Sequence, residues 1–165
     1  MDDVPLSCVE IIDECTKWLH RTPELAETIK HAALATLKAE GRQGAVAILL
    51  ADARHVQELN ARFRNKDAPT NVLSFPAGDR SNQSAELEEY QSLGDIILSY
   101  ETVMHEATVQ NKCFADHTIH LVVHGMLHIL GYDHQNESDT ILMTNREINI
   151  LASLNISDPY AEVAI

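Results

Sequence analysis

The chain has 165 residues, of which 45% are hydrophobic, and a formal net charge of −13. This length fits one domain that buries about two-thirds of the surface exposed by the unfolded chain. The negative charge excludes a protein that coats nucleic acid by bulk attraction, so a polyanion would need a locally positive groove. The longest apolar run, AVAILLA at 45–51, is far shorter than the roughly 20 residues of a membrane helix, which excludes a spanning segment.

The N-terminus and the cysteines both favour the cytoplasm. The first residues, MDDVPLS, are acidic where a signal or transit peptide would be basic, so we expect no export and no membrane partner. Cys8, Cys15 and Cys113 are odd in number and lack paired spacing. They indicate free thiols in a reducing compartment.

The first predicted strand and helix lie before residue 42. The segment CVEIID, at 8–13, is rich in β-branched residues and predicts a strand. Thr22 and Pro23 predict the start of an amphipathic helix, and Gly41 predicts its end. Its apolar positions recur every four residues: Leu25, Ile29, Ala33 and Leu37.

A second strand and helix follow directly. The apolar run at 44–51 has the length and branching of a buried strand. Asp52 predicts the cap of a helix at 53–64. We expect the inner face of that helix to consist of Val56, Leu59 and Phe63.

A loop, a strand and a long polar segment come next. The sequence DAP at 67–69 predicts a loop, and residues 70–75 predict a strand that Pro76 ends. A strand stopped by proline is expected near the edge of its sheet. Residues 77–93 are rich in Ser, Gln and Glu without periodicity, so we expect a surface loop there.

The C-terminal part predicts one strand and three helices. The strand is DIILSY at 95–100, and the first helix spans about 102–112. The second spans 116–130 with Asp116 as its cap, and the last runs from about 138 to 153. The inward face of the last helix is expected to contain Ile141, Ile148 and Leu151.

These elements define the fold class. Four short strands and about five helices, without an internal repeat or an interdomain linker, predict an α+β fold. We expect a single domain over 1–165, with a four-stranded mixed sheet on which the helices pack.

The segment HGMLHILGYDH has the spacing of a metal site. His124 and His128 are four residues apart, so on a helix they lie one turn apart on the same face. His120 lies about 12 Å from His128 along the helix axis, too far for both to reach one ion through zinc–nitrogen bonds of about 2.0–2.1 Å. Gly131 predicts a left-handed helix end that returns His134 toward the first two. The pattern predicts a three-histidine site with open coordination, which favours a catalytic metal.

Position 125 separates this segment from the HExxHxxGxxH metalloproteases. Those enzymes carry a glutamate general base beside the first histidine, whereas this chain has Gly125. A peptidase would therefore need a base from elsewhere, such as Asp133. A packed core position is the alternative interpretation of any single histidine here, but three at these offsets favour a metal.

Four of the twelve Lys and Arg residues lie within thirteen positions: Arg54, Arg62, Arg64 and Lys66. Such a cluster could provide the locally positive groove that a polyanion requires. For Arg54 and Arg62, an ordinary solvated helix face is an equally good interpretation.

Four blocks of the sequence resemble the YbeY endoribonuclease family. They are HGMLHILGYDH with the preceding His120, LNARFRNKDAPTNVLSFP at 59–76, LGDI at 93–96 and DPY at 158–160. The resemblance implies a bacterial, zinc-dependent, single-strand-specific endoribonuclease that acts in 16S rRNA maturation and ribosome quality control. It also implies a zincin-like fold around the metal-bearing helix.

The resemblance carries the site onto numbered residues. It implies one zinc ion per chain with the ligands His124, His128 and His134, and a functional arginine at Arg64. The implied partners are RNA, namely 16S rRNA in the small ribosomal subunit, and, as a candidate, a ribosome-assembly GTPase; DNA is not expected. Asn65 stands where many members have glycine, and this difference does not change the implied class of enzyme.

The same residues suggest a mechanism. A metal with three neutral ligands keeps its double charge, so it can activate water without a glutamate base and hold a phosphate oxygen. Arg64 presents a planar fork suited to phosphate oxygens. The catalytic set is therefore Arg64 with the three histidines, and substrate binding is expected from Arg64, Lys66 and His120.

Other polar residues leave alternatives open. His120 could touch substrate or a residue that supports a ligand, and Asp133 could orient an imidazole or cap the turn after the metal helix. Ser74 and Asp95 are expected to be structural or to line the groove. Two further functions stay open: a metallohydrolase or peptidase on a non-RNA substrate, and a noncatalytic ribosome-assembly module braced by zinc.

Overall fold

A computed structural model describes residues 7–77 and 91–161, and within them the strands form one sheet in the order β1-β2-β4-β3. The strands are β1 (Cys8–Asp13), β2 (Ala45–Ala51), β3 (Val72–Pro76) and β4 (Ser92–Ser99). The first, second and fourth are parallel, while β3 runs antiparallel along β4. The mixed four-stranded sheet is confirmed, as is the position of the proline-ended strand at an edge.

Six helices lie in the described residues: α1 (Lys17–Arg21), α2 (Leu25–Ala39), α3 (Ala53–Arg64), α4 (Tyr100–Val109), α5 (Phe114–Ile129) and α6 (Glu137–Ser153). The α+β class is confirmed. The prediction of five helices missed α1, because five residues are too few for a helical periodicity. Across the described ranges, no helix combines the length and apolarity needed to cross a membrane.

Both faces of the sheet are buried, which explains why every residue of β2 is buried. One face packs against α2 and α5, on which α6 packs in turn, in a large apolar cluster that includes Ile48, Ile96 and Met126. The other face packs against α3 through a smaller cluster that includes Val56 and Phe75. Helix α5 therefore lies directly on the sheet, where its polar residues are held in fixed positions.

Three predicted element starts are wrong. Glu24, not Thr22 or Pro23, caps α2, because Thr22 has an extended backbone and closes α1. Cys113 caps α5, so Asp116 lies in the first turn of that helix and does not cap it. Strand β4 begins at Ser92, where pairing with β2 extends the strand toward the polar segment. Most of the predicted loop at 77–93 lies outside the described residues.

Helix α3 confirms its predicted cap and part of its predicted inner face. The Asp52 carboxylate accepts a hydrogen bond from the His55 N–H at 2.8 Å. Val56 and Leu59 are buried, but Phe63 is 38% exposed and rests against Phe75 with 5.6 Å between ring centroids. The tilt of α3 on the sheet decides which side of its apolar stripe is covered, and a helical period alone does not specify that tilt.

The inward face of α6 also differs from the prediction. Ile141 is exposed and Ile148 is half-buried, while Leu151 is buried as expected. The face that packs on the core consists of Met143, Glu147, Ile150 and Leu151. A search for apolar periodicity misplaced this face because one of its four members is a carboxylate.

Candidate active site

Three histidines converge where α5 ends. His124 and His128 lie on the last two turns of the helix, and His134 lies in the segment that leads to α6. Their ring centroids are 4.6 Å apart for His124 and His128, 5.2 Å for His124 and His134, and 4.9 Å for His128 and His134. One nitrogen of each ring lies within 4.8 Å of the others, so the group could hold a metal ion. The convergence predicted from the spacing is confirmed.

The donor atoms of this histidine cluster fit a divalent metal that prefers nitrogen. The Nε2 atoms of His124 and His128 are 3.1 Å apart, close to the about 3.3 Å that separates two nitrogens on a tetrahedral zinc ion. The Nδ1 atoms of both rings face away from the gap between the two Nε2 atoms. His124 Nδ1 contacts Glu147, and His128 Nδ1 is 3.0 Å from the Tyr132 carbonyl. A ligating histidine typically donates its second N–H in this way.

The protonation state of His128 also suits a metal ligand. Burial, together with the nearby His124 and His134 rings, lowers the pKa of His128 below its ordinary value. The neutral imidazole is the form that binds a metal ion. The folded chain therefore favours the ligating form of this side chain.

Gly131 makes the turn that returns the third histidine. Its φ of +111° is one that residues with side chains rarely adopt. The Gly131 N–H donates to the His128 carbonyl at 3.1 Å, and the Tyr132 N–H donates to the Leu127 carbonyl at 3.0 Å. The chain then reverses and places His134 against the two helical histidines, as the glycine predicted.

Glu147 is a site residue that sequence reasoning missed. Its side chain is 1% exposed, and its carboxylate accepts hydrogen bonds from His124 Nδ1 and from the Tyr160 hydroxyl. Burial would raise the pKa of Glu147, but the contacts with His120, His124 and Tyr160 together outweigh it and hold this pKa at about 2. The ionised carboxylate keeps Nδ1 of His124 protonated, which leaves Nε2 as the ligand atom. No local sequence signal points to Glu147, because its partners His124 and Tyr160 lie 23 and 13 positions away.

His120 lies behind the histidine cluster. Its Nε2 is 3.2 Å from the Tyr160 hydroxyl and 3.7 Å from Glu147 Oε2, and its side chain is only 12% exposed. It lines a separate cavity with His117 and Lys112. The structure thus places His120 beside Glu147, the residue that supports His124. This position corresponds to the alternative given for His120, a contact with a residue that supports a ligand.

A groove in front of the histidine cluster collects two of the four predicted basic residues. Arg64 and Lys66 line it together with His124, His128 and His134. The Arg64 guanidinium donates to the Ser74 carbonyl and lies 5.0 Å from the centroid of the Phe75 ring. This contact places Arg64 at the groove wall that β3 forms.

Arg54 and Arg62 lie elsewhere, on the outer side of α3. They border a shallow surface with Glu58 and Asp67, and Arg54 Nε is 3.4 Å from Glu58 Oε1. Of the four basic residues, Arg64 and Lys66 therefore line the groove, while Arg54 and Arg62 belong to a solvated helix face.

The sequence of the chain matches a known family. The family model of endoribonuclease YbeY matches residues 11–155. This chain belongs to the YbeY endoribonuclease family. The family that the resemblance indicated is confirmed, and it is one of metal-dependent endoribonucleases.

Curated YbeY relatives cover nearly the whole chain. Endoribonuclease YbeY of Bradyrhizobium diazoefficiens is 39% identical over 163 residues, which cover 97% of this chain and 87% of the relative. Endoribonuclease YbeY of Azorhizobium caulinodans is 43% identical over 159 residues, which cover 93% and 96%. The fold is shared with the solution structure of TM1509 from Thermotoga maritima, with a TM-score of 0.57, 24% identity and coverage of 93% and 99%.

The backbone of Asn65 is one that glycine, the residue the resemblance implies at this position, would also adopt. Asn65 follows α3 with φ +57°, in the left-handed region. Glycine adopts this conformation freely, and asparagine is among the few other residues that adopt it routinely. Both residues therefore allow the turn between Arg64 and Lys66.

Three further polar residues of the YbeY blocks have local contacts. Asp133 accepts a hydrogen bond from the His134 N–H at 2.7 Å and lines the groove. Ser74 also lines the groove, and its hydroxyl donates to the Gly125 carbonyl at 3.4 Å. Asp95 is buried in β4, paired in register with Phe75. These positions agree with the expectation that Ser74 and Asp95 are structural or groove-lining.

Gly125 faces the sheet, which gives a physical reason why this YbeY member has no glutamate there. A Cβ at this position would lie 3.0 Å from Ser74 Oγ and 3.3 Å from two carbons of Ile96. Those distances are shorter than ordinary van der Waals contact. A larger side chain would have to separate α5 from β3 and β4.

We expect Gly125→Glu to destabilise the fold by about 3 kcal/mol, because the carboxylate would be buried without a partner and would overpack the interface. Urea unfolding followed by circular dichroism measures this change. Ala152→Glu, which adds the same charge at an exposed position of α6, is the control and should stay within about 0.5 kcal/mol of the wild type. A Gly125→Glu protein that is as stable as the wild type and hydrolyses unfolded protein would contradict this interpretation of position 125.

Proposed function

We propose that this chain is a zinc-dependent endoribonuclease that cleaves single-stranded RNA and acts in 16S rRNA maturation and ribosome quality control. The observation that carries the proposal is that the histidine cluster shares one groove with Arg64 and Lys66. Membership of the YbeY family supports the RNA substrate. The single-strand preference, the ribosomal role, the cytoplasmic location and a ribosome-assembly GTPase as candidate partner come from the resemblance and from the sequence.

Each side chain of the site would have a separate role. His124, His128 and His134 would hold the zinc ion, and Glu147 would keep His124 in the ligating tautomer. A zinc ion bound there supplies activation of water and Lewis-acid stabilisation of a phosphate oxygen. Arg64 would bind the scissile phosphate and stabilise the charge that develops on it, because a guanidinium matches phosphate oxygens in geometry.

Lys66 would add a second positive charge to the groove. Since the chain carries a net charge of −13, RNA must be attracted locally. With two cationic residues in the groove, the slope of log affinity against log salt for single-stranded RNA should be about −1.4, at about −0.7 for each neutralised phosphate. A slope of this size is smaller than that of proteins that coat nucleic acid.

The test compares three substrates with and without a chelator. We expect the wild-type protein to cut a single-stranded 16S rRNA fragment, to cut the same fragment poorly when it is annealed to its complement, and to leave an unfolded protein intact. The chelator should abolish cleavage, and added zinc should restore it. Chelator-sensitive hydrolysis of the unfolded protein with intact RNA would instead support a peptidase.

The same assay addresses the noncatalytic alternative. A module in which zinc only braces the fold would bind zinc and cut neither substrate. RNA cleavage that persists after complete removal of the metal would contradict the proposed metal chemistry.

A further inference from the structure

The turn that carries His134 has one anchored side chain. Residues 131–138 are all exposed except Tyr132, which is half-buried. Gly131 provides no packing, since even an added Cβ there would meet no atom within 4 Å. Asp133 and Asn136 accept local hydrogen bonds from the backbone N–H groups of His134 and Asp139. Tyr132 is the residue whose side chain ties the turn to another helix, as its hydroxyl bonds Glu40 at the end of α2.

Tyr132 makes three hydrogen bonds that point in different directions. Its N–H donates to the Leu127 carbonyl at 3.0 Å, and its carbonyl accepts from Nδ1 of His128 at 3.0 Å. Its hydroxyl donates to Glu40 Oε1 at 2.6 Å. Tyr132, whose carbonyl orients His128, thus lies two positions before His134. Its side chain is tied to Glu40 at the end of α2.

Glu40 is in turn fixed by Arg146 of α6. The Glu40 side chain is 8% exposed, and its Oε2 accepts from Arg146 Nε at 2.8 Å and from a second nitrogen of the same guanidinium. Arg146 also donates to the Ala39 carbonyl at 3.2 Å. Charge-assisted bonds of this kind are short and directional, so the carboxylate presents Oε1 to Tyr132 in one orientation.

We propose that Tyr132, Glu40 and Arg146 form a clamp that positions His134 and orients His128, and thereby sets the metal affinity of the histidine cluster. The inference rests on the proposed metal-binding function of that cluster. Without the Tyr132 hydroxyl, the exposed turn loses its side-chain attachment to α2 and α6. His134 then occupies its place beside His124 and His128 for a smaller fraction of the time.

Tyr132→Phe is the sharpest test, because it keeps the packed ring and removes only the hydroxyl. We expect zinc affinity to fall about 10- to 100-fold, as for other residues that support metal ligands. Cobalt(II), used as a spectroscopic probe, should show altered absorption bands from a changed coordination sphere. Tyr100→Phe, at a half-buried tyrosine packed on Trp18 and Phe114, is the matched control and should bind both metals as the wild type does.

A second variant separates positioning from general stability. Glu40→Gln alone and combined with Tyr132→Phe completes a double-mutant cycle in zinc affinity. Both changes break the same clamp. The zinc affinity of the double variant should therefore equal that of the single variant with the lower affinity. Urea unfolding of the metal-free proteins checks that each variant is folded.

Three outcomes would overturn the clamp. The first is that Tyr132→Phe has the zinc affinity and the cobalt spectrum of the wild type. The second is that the losses of zinc affinity in the two single variants multiply in the double variant. The third is that the wild-type chain binds no zinc. The last would also overturn the proposed metal function. If the wild type binds zinc and the variants weaken it as expected while RNA stays uncut, the clamp stands and only the proposed ribonuclease activity fails.

Discussion

His128→Ala is expected to lower RNA cleavage by about 1,000-fold or more, because the metal contributes several kcal/mol to catalysis and each 1.36 kcal/mol corresponds to about tenfold in rate. His128 is the central ligand, with Nε2 facing His124 at 3.1 Å and Nδ1 held by the Tyr132 carbonyl. Alanine removes one of the three histidines that would hold the metal and leaves His124 and His134 as the remaining pair. Steady-state cleavage of single-stranded RNA and zinc content by elemental analysis measure the two effects.

The control for this variant is His31→Ala. His31 is an exposed histidine on α2 and is not part of the histidine cluster. It should leave activity and zinc content unchanged. If His128→Ala lost its zinc but cleaved RNA at the wild-type rate, the proposed role of the metal would be wrong.

Arg64→Ala is expected to lower RNA cleavage by about 100- to 1,000-fold, which is the usual cost of removing one group that stabilises developing charge. Zinc content and affinity should stay at wild-type values, since Arg64 contacts Ser74 and Phe75 and is not one of the three histidines that could hold the metal. This combination separates a role on the phosphate from a role in metal binding. Arg64→Lys should recover only part of the activity, because an ammonium lacks the planar fork.

The matched control is the neighbouring Arg62→Ala. Arg62 is also exposed and lies on α3, but it faces the outer surface with Arg54. We expect its loss to change cleavage by less than about twofold, since it lies outside the groove. Equal losses in both variants would mean that Arg64 acts through the general charge of α3.

The histidine cluster could be predicted from the sequence because its geometry is almost entirely local. Two histidines four residues apart share a helix face in any α-helix. Gly131 adds the one backbone conformation that reverses the chain within a few residues. The same is true of the Asp52 cap, which needs only the first turn of its own helix.

The basic residues show where local reasoning stops. Arg62 and Arg64 are two positions apart on one helix, and both were candidates for the groove. Only the packing of α3 against the sheet places Arg64 beside Ser74 and leaves Arg62 on the opposite side. A difference of two residues rotates the side chain by more than half a turn, so the choice depends on how the helix is seated.

The supporting residues of the site lie furthest from sequence reasoning. Glu147 reaches His124 from 23 positions away, and Glu40 meets Tyr132 from 92 positions away. A carboxylate on an otherwise apolar helix face, or at a helix end, has no local partner that would reveal its function. The sequence by itself therefore determined the convergence of the three histidines, the turn that joins them and the fold class. The tertiary structure alone decided which carboxylates orient those ligands and which arginine shares their groove, because these contacts depend on how distant helices pack.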